Sequence, residues 1–86
     1  MNRPRRIKLV ERYLTKLDKG LLFGEARRWS RTAVVDPRQS HREYLDTIVH
    51  EALHILFPRF KERRIRKISR ELSDFLWRAR YRRVAL

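Results

Sequence analysis

An 86-residue chain with 42% hydrophobic and 38% charged residues reads as one small folded domain rather than a disordered tail, and a core this thin gains from a bound metal. The absence of cysteine excludes disulfides, iron–sulfur clusters, thiolate zinc sites and a cysteine nucleophile, so any zinc must be held by histidine and carboxylate. The net charge of +13 suits nucleic acid, anionic lipid or an acidic protein as partner.

The amino-terminal residues 1–6 form a basic arm, Met1-Asn2-Arg3-Pro4-Arg5-Arg6. No secretory apolar stretch follows it, and no apolar run approaches the roughly 20 residues that span a bilayer. The expectation is a soluble cytoplasmic protein with no membrane association. Residues 7–36 read as a sheet: a mixed-period segment from Ile7 to Leu14, a turn at Asp18-Lys19-Gly20, a return strand from Leu21 to Trp29, and a short strand Thr32–Val35 ended by Asp36-Pro37. The first helix spans residues 40–57. Ser40 is its N-cap, Glu43 completes a capping box, and Pro58 disfavours helix in the residue before it. A second, basic helix is expected over residues 61–83, with Ile65, Ile68, Leu72, Phe75, Leu76 and Ala79 as its apolar stripe. The order β-β-β-α-α implies a small α+β fold, a three-stranded antiparallel or mixed sheet followed by two helices, without repeats or a second domain.

Charge is uneven along this order. Residues 1–31 carry ten Lys/Arg against three acids and residues 59–86 eleven against three, whereas residues 32–58 carry two against four. The basic flanks could neutralise phosphates, with Trp29 and Trp77 available for stacking, although no helix-turn-helix, zinc-finger or RNA-recognition signature is present.

Within the first helix stands His50-Glu51-Ala52-Leu53-His54, an H-E-x-x-H pattern. Residues four apart lie about 40° from each other around a helix, so both imidazoles can meet one ion, while Glu51, about 100° away, stands beside it. A carboxylate there can take a proton from water at the ion and return it to a leaving amine. The plain alternative is the polar face of an amphipathic helix, yet Leu53 and Phe57 on one side and Tyr44, Ile48 and Ile55 on the other surround much of the cylinder. A helix covered on two sides would place the histidines in a cleft between the helices.

The stretch Gly24-Glu25, Thr32-Ala33-Val34-Val35-Asp36 and Leu45-Asp46-Thr47-Ile48-Val49-His50-Glu51-Ala52-Leu53-His54 resembles the zincin metallopeptidases, and is closest to the compact single-domain zincin-like proteins often encoded by phages. The resemblance covers roughly residues 21–81. It implies a zinc-dependent peptidase expressed in a host cytoplasm, acting on a peptide or protein, with His50 and His54 as zinc ligands and Glu51 as general base. It also implies that the strand before the helix runs along the sheet edge above the cleft. Glutamate-type members add a carboxylate from a later helix, for which Glu62, Glu71 and Asp74 are candidates here. Glu71 is the expected ligand, because an antiparallel return could bring it opposite the histidines and it borders the apolar stripe. Glu62 follows Pro58 closely, Asp74 suits contact with an imidazole, and His41 reads as a surface residue. Tyr44, Tyr81 and several arginines are candidates for stabilising an oxyanion. The alternatives are a basic nucleic-acid-binding protein and an inactive zincin-like domain with a structural zinc.

Overall fold

The computed structural model describes residues 5–14, 16–17, 20–21 and 23–84. Chain order is β1 (Lys8–Glu11), β2 (Lys16–Leu17), β3 (Gly20–Leu21), β4 (Gly24–Arg27), β5 (Thr32–Val35), α1 (His41–Leu56) and α2 (Glu62–Arg78). Strands β1, β5 and β4 form a mixed three-stranded sheet in that spatial order, so the α+β layout of a sheet followed by two helices holds. The pair β2–β3 adds a short antiparallel ladder. Asp18 and Lys19 of the expected turn, and residues 1–4 of the basic arm, lie outside the described residues.

Two strand boundaries differ from the sequence reading. The segment Ile7–Leu14 is a strand only from Lys8 to Glu11, and Leu21–Trp29 divides into the end of β3 and the separate strand β4. Arg28–Arg31 forms the turn into β5, with Arg31 at a φ of 50°. Strand β5 pairs parallel with β1, Lys8 opposite Thr32, and antiparallel with β4, Gly24 opposite Val35. It is therefore the central strand. All four of its residues are buried, as a strand enclosed on both faces requires. The edge strand beside the helix is β4.

Helix α1 starts where the sequence places it. Ser40 Oγ accepts from the Glu43 amide at 3.2 Å, and Glu43 Oε1 accepts from the Ser40 amide at 3.4 Å. Such a cap stabilises a helix by about 1 kcal/mol. Tyr44 in the first turn donates to Glu11 Oε2 at 2.5 Å, tying α1 to the end of β1. Burial, then the bond to Glu11, pushes the Tyr44 phenol up to about 12.

Five residues, Phe57 to Lys61, link α1 to α2. The contacts 54–62, 50–69 and 42–74 run in opposite directions along the two helices, so α2 returns antiparallel. Leu45, Val49 and Leu53 of α1 pack with Ile65 of α2, joined by Ile48, Phe60, Ile68, Leu76 and Trp77. The expected stripe on α2 is rotated. Its buried residues are Ile65, Ser69 and Ser73, while Leu72 and Phe75 are exposed. The serines fit this face because they are small enough for close helix approach and their hydroxyls donate to the carbonyls of Arg66 and Arg70.

Helix α2 also stops short of residue 83. Arg80 adopts a φ of 69°, the Arg80 amide donates to Trp77 O and the Tyr81 amide to Leu76 O. That left-handed closure satisfies the last carbonyls and turns the chain away. Arg82 then lies over the Trp77 ring at 3.5 Å, and Arg83 bonds the carbonyls of Pro37 and Gln39. Among the described residues, no helix is long and apolar enough to cross a membrane.

Candidate metal centre

The i, i+4 spacing on α1 brings the two imidazoles together as expected: His50 Nε2 and His54 Nε2 are 3.2 Å apart. The third group is Glu62, the first residue of α2. Its Oε1 lies 2.8 Å from His50 Nε2 and its Oε2 2.5 Å from His54 Nε2. One ligand atom from each of the three residues can be chosen so that all lie within 4.8 Å of one another.

Glu71 is not in this group; it is exposed on α2. The reason is the rotation of the helix. At about 100° per residue, Glu62 lies only about 20° from Ser69, whereas Glu71 lies about 200° from it. With Ile65, Ser69 and Ser73 turned to α1, Glu62 faces the histidines and Glu71 faces away. Nor does the closeness of Glu62 to Pro58 prevent contact, because His54 is itself only two residues from the end of α1. The first turn of α2 is thus level with the last turns of α1. Asp74 contacts Arg42 at 3.2 Å and Arg78 at 3.0 Å, not an imidazole. Ser69 Oγ instead stands 3.4 Å from His50 Nδ1. His41 opens α1 away from this group, Tyr44 is engaged by Glu11, and Tyr81 is exposed beyond the end of α2.

Two imidazoles and one carboxylate are the ligand set of many catalytic zinc sites. Ligand atoms about 2.0–2.1 Å from a tetrahedral ion are about 3.3 Å apart, and the 3.2 Å separation of the ring nitrogens matches it. The donor set fits the ion by type and number, and the Glu62 oxygens, 2.8 and 2.5 Å from the ring nitrogens, stand closer to them than two ligands of one ion would. Burial lowers the proton affinity of His50, against the opposing pull of Glu62; this favours the neutral imidazole that a metal needs. Position α2 N1 also suits an anionic Glu62, since the first turn presents the positive end of the helix dipole. His54 Nδ1 is buried without a hydrogen-bond partner among the described residues.

Glu51 is buried at 7% exposure beside Gly24 of β4. A side chain at position 24 would put its Cβ 3.2 Å from Glu51 Cγ, 3.1 Å from Val34 O and 2.6 Å from Thr47 Cγ2. Glycine is what lets the edge strand pass this close to the H-E-x-x-H helix. Burial, reinforced by the negative charges of Glu62 and Glu25, pushes the Glu51 carboxyl up to about 7.

Glu51 and Gly24 divide a cleft into two grooves. One is lined by His50, Thr47, Phe23, Arg66 and Arg70 among others, the other by His54, Glu25, Ala26 and Arg28. Arg66 Nη2 lies 3.5 Å from Glu62 Oε1. The sequence carries one sign of this arrangement: Ser69 and Ser73, one turn apart and in line with Ile65, mark a narrow face that includes Glu62.

Comparison with protein-family models, with curated proteins and with solved structures finds no match.

Proposed function

We propose that this chain is a minimal zinc-dependent hydrolase, of the peptidase type, in which His50, His54 and Glu62 hold the ion and Glu51 is the general base. The observation that carries the reading is the convergence of two imidazole nitrogens and a carboxylate from a different helix on one point, next to a buried carboxylate in a cleft. A bound zinc ion supplies Lewis-acid polarisation of the scissile carbonyl and of water. His50 and His54 bind through Nε2, and Ser69 orients the His50 ring through Nδ1. Glu62 closes the ligand set with its carboxylate. A carboxylate oxygen of Glu51 takes a proton from the attacking water and delivers it to the leaving amine. Gly24 keeps the space beside Glu51 narrow, and β4 has a ladder edge not paired with β5 along which an extended peptide can lie.

Metal analysis of protein purified without a histidine tag tests the ligands. Wild type and Glu71→Gln are expected to carry one zinc per chain, and His54→Ala and Glu62→Gln to lose it. Glu51→Gln should keep its metal but lose about 10²–10⁴-fold in hydrolysis of an unstructured peptide substrate. Wild-type protein without stoichiometric metal refutes the site. Full activity in Glu51→Gln refutes the base, and unfolding on chelation with no turnover of any peptide points to a structural zinc.

A further inference from the structure

Both halves of the cleft have arginine in their walls, and the acids beside them are largely engaged. Asp46 has Arg42 at 3.6 Å, and Glu25 has Arg27 at 2.7 Å. Arg28 on the His54 side and Arg70 on the His50 side line the cleft and form no ion pair among the described residues. Among the described residues, Arg66, beside Arg70, has one ion pair, the 3.5 Å contact to Glu62. Arg66 and Arg70 also line a broader groove of about 1060 Å³ along α2, together with Arg59, Arg63, Arg64 and Lys67. Among the described residues, the acids on that groove are Glu62 and Glu71.

We propose that the cleft selects an acidic polypeptide segment, with Asp or Glu side chains on either side of the scissile bond held by Arg28 at one end and by Arg66 and Arg70 at the other. This rests on the hydrolase reading above and names its substrate class. Guanidiniums lining a groove bind carboxylates through charge-assisted, bidentate hydrogen bonds, and Arg28 and Arg70 have no ion-pair partner among the described residues. Further acidic residues on one side of the bond would continue onto the α2 groove. A polypeptide fits better than a nucleic acid for two reasons. Among the described residues β4 is an edge strand, which offers main-chain hydrogen bonds rather than a stacking surface. On α2 and its entry the ring faces near the cationic residues are covered, Phe60 by Phe57 and Arg64, and Trp77 by Arg82, while Trp29 beside Arg28 stays exposed.

The test uses three quenched fluorescent peptides of equal length and identical central residues, flanked by Glu, by Ser or by Lys. Zinc-loaded wild type is expected to cleave the Glu-flanked peptide with kcat/KM at least tenfold above the Ser-flanked one, and the Lys-flanked peptide slowest. That spread should narrow as salt is raised from 50 to 300 mM, conditions that shorten electrostatic reach. Arg70→Glu and Arg28→Glu should each lower the Glu-to-Ser ratio by about tenfold. A second readout is independent of turnover: fluorescein-labelled Glu-flanked peptide, followed by anisotropy, should bind Glu51→Gln protein and metal-free wild type at least tenfold more tightly than the Lys-flanked peptide. Equal kcat/KM for the Glu and Ser peptides overturns the charge preference and leaves the hydrolase reading standing. Charge-selective binding without cleavage of any peptide supports the cleft and overturns the hydrolase reading. A dT15 oligonucleotide that binds more tightly than the Glu-flanked peptide, and loses that affinity in Arg70→Glu, overturns the polypeptide assignment in favour of nucleic acid.

Discussion

Replacing Gly24 with alanine puts a single methyl group where β4, β5 and α1 meet. The new Cβ would stand 2.6 Å from Thr47 Cγ2 and 3.1 Å from the Val34 carbonyl oxygen, against about 3.5–4.0 Å for an unstrained carbon contact. Neither neighbour yields easily. The Val34 oxygen belongs to the backbone of the buried central strand, and Thr47 is held because its hydroxyl donates to Gln39 Oε1 at 2.7 Å. Gln39 is itself buried and donates to the carbonyls of Phe23 and Asp36. Relief therefore requires β4 to move away from α1. Overpacking of this kind costs about 1–3 kcal/mol, and the reduced freedom of the unfolded chain returns about 0.4–1 kcal/mol. The midpoints of these ranges leave a net loss of about 1.3 kcal/mol, and each kcal/mol lowers Tm by about 4–8 °C in a domain of this size. Urea unfolding of metal-free protein, at unchanged m-value, measures the loss directly. On the hydrolase proposal, the same substitution crowds Glu51 and should reduce turnover more than metal content. A Gly24→Ala protein as stable as wild type would refute the close passage of β4 over the helix.

Two other substitutions test features away from the centre. Arg80 terminates α2 in a left-handed conformation that costs a residue with a Cβ about 1–2 kcal/mol, so Arg80→Gly should raise the urea midpoint despite the extra freedom of glycine in the unfolded chain; a fall would place the stabilisation in the arginine side chain instead. Asp36 accepts bonds from the Arg38 guanidinium at 2.9 and 2.6 Å and from the amides of Leu14 and Arg38. The Arg38 side chain foremost, against the opposing effect of burial, holds the Asp36 carboxyl well below the usual carboxylate range. Its contribution is therefore complete above the unfolded value of about 3.9 and is lost as pH falls below it toward the lower folded value. Asp36→Asn should flatten the decline of the urea midpoint between pH 5 and pH 2, and an identical acid limb in the two proteins would sink this assignment.

Local chemistry made much of this molecule readable in advance. Ser40, Glu43 and Pro58 bound α1 through interactions within a few residues of each other, and a four-residue spacing on any helix sets His50 and His54 on one side. The segment Thr32–Val35 has the short apolar composition of an enclosed strand. What lay beyond reach was how these pieces turn against one another. Strand β5 pairs with β1 from more than twenty residues upstream, which makes β5 central and leaves the edge beside the cleft to β4. Periodicity of apolar residues placed Leu72 and Phe75 inward on α2, and Glu71 was expected because it borders that stripe.

In the folded chain the rotation of α2 is decided by shape. Ser69 and Ser73 permit the two helices to approach closely, and their hydroxyls are satisfied by their own helix, so the small face turns inward and the larger apolar side chains partly give way to solvent. Glu62 is carried onto the histidines by that rotation and by the short link to α1. Composition and spacing determine which residue types are present on each helix. Which carboxylate completes the group depends on close packing between two surfaces, a property that neither helix possesses alone.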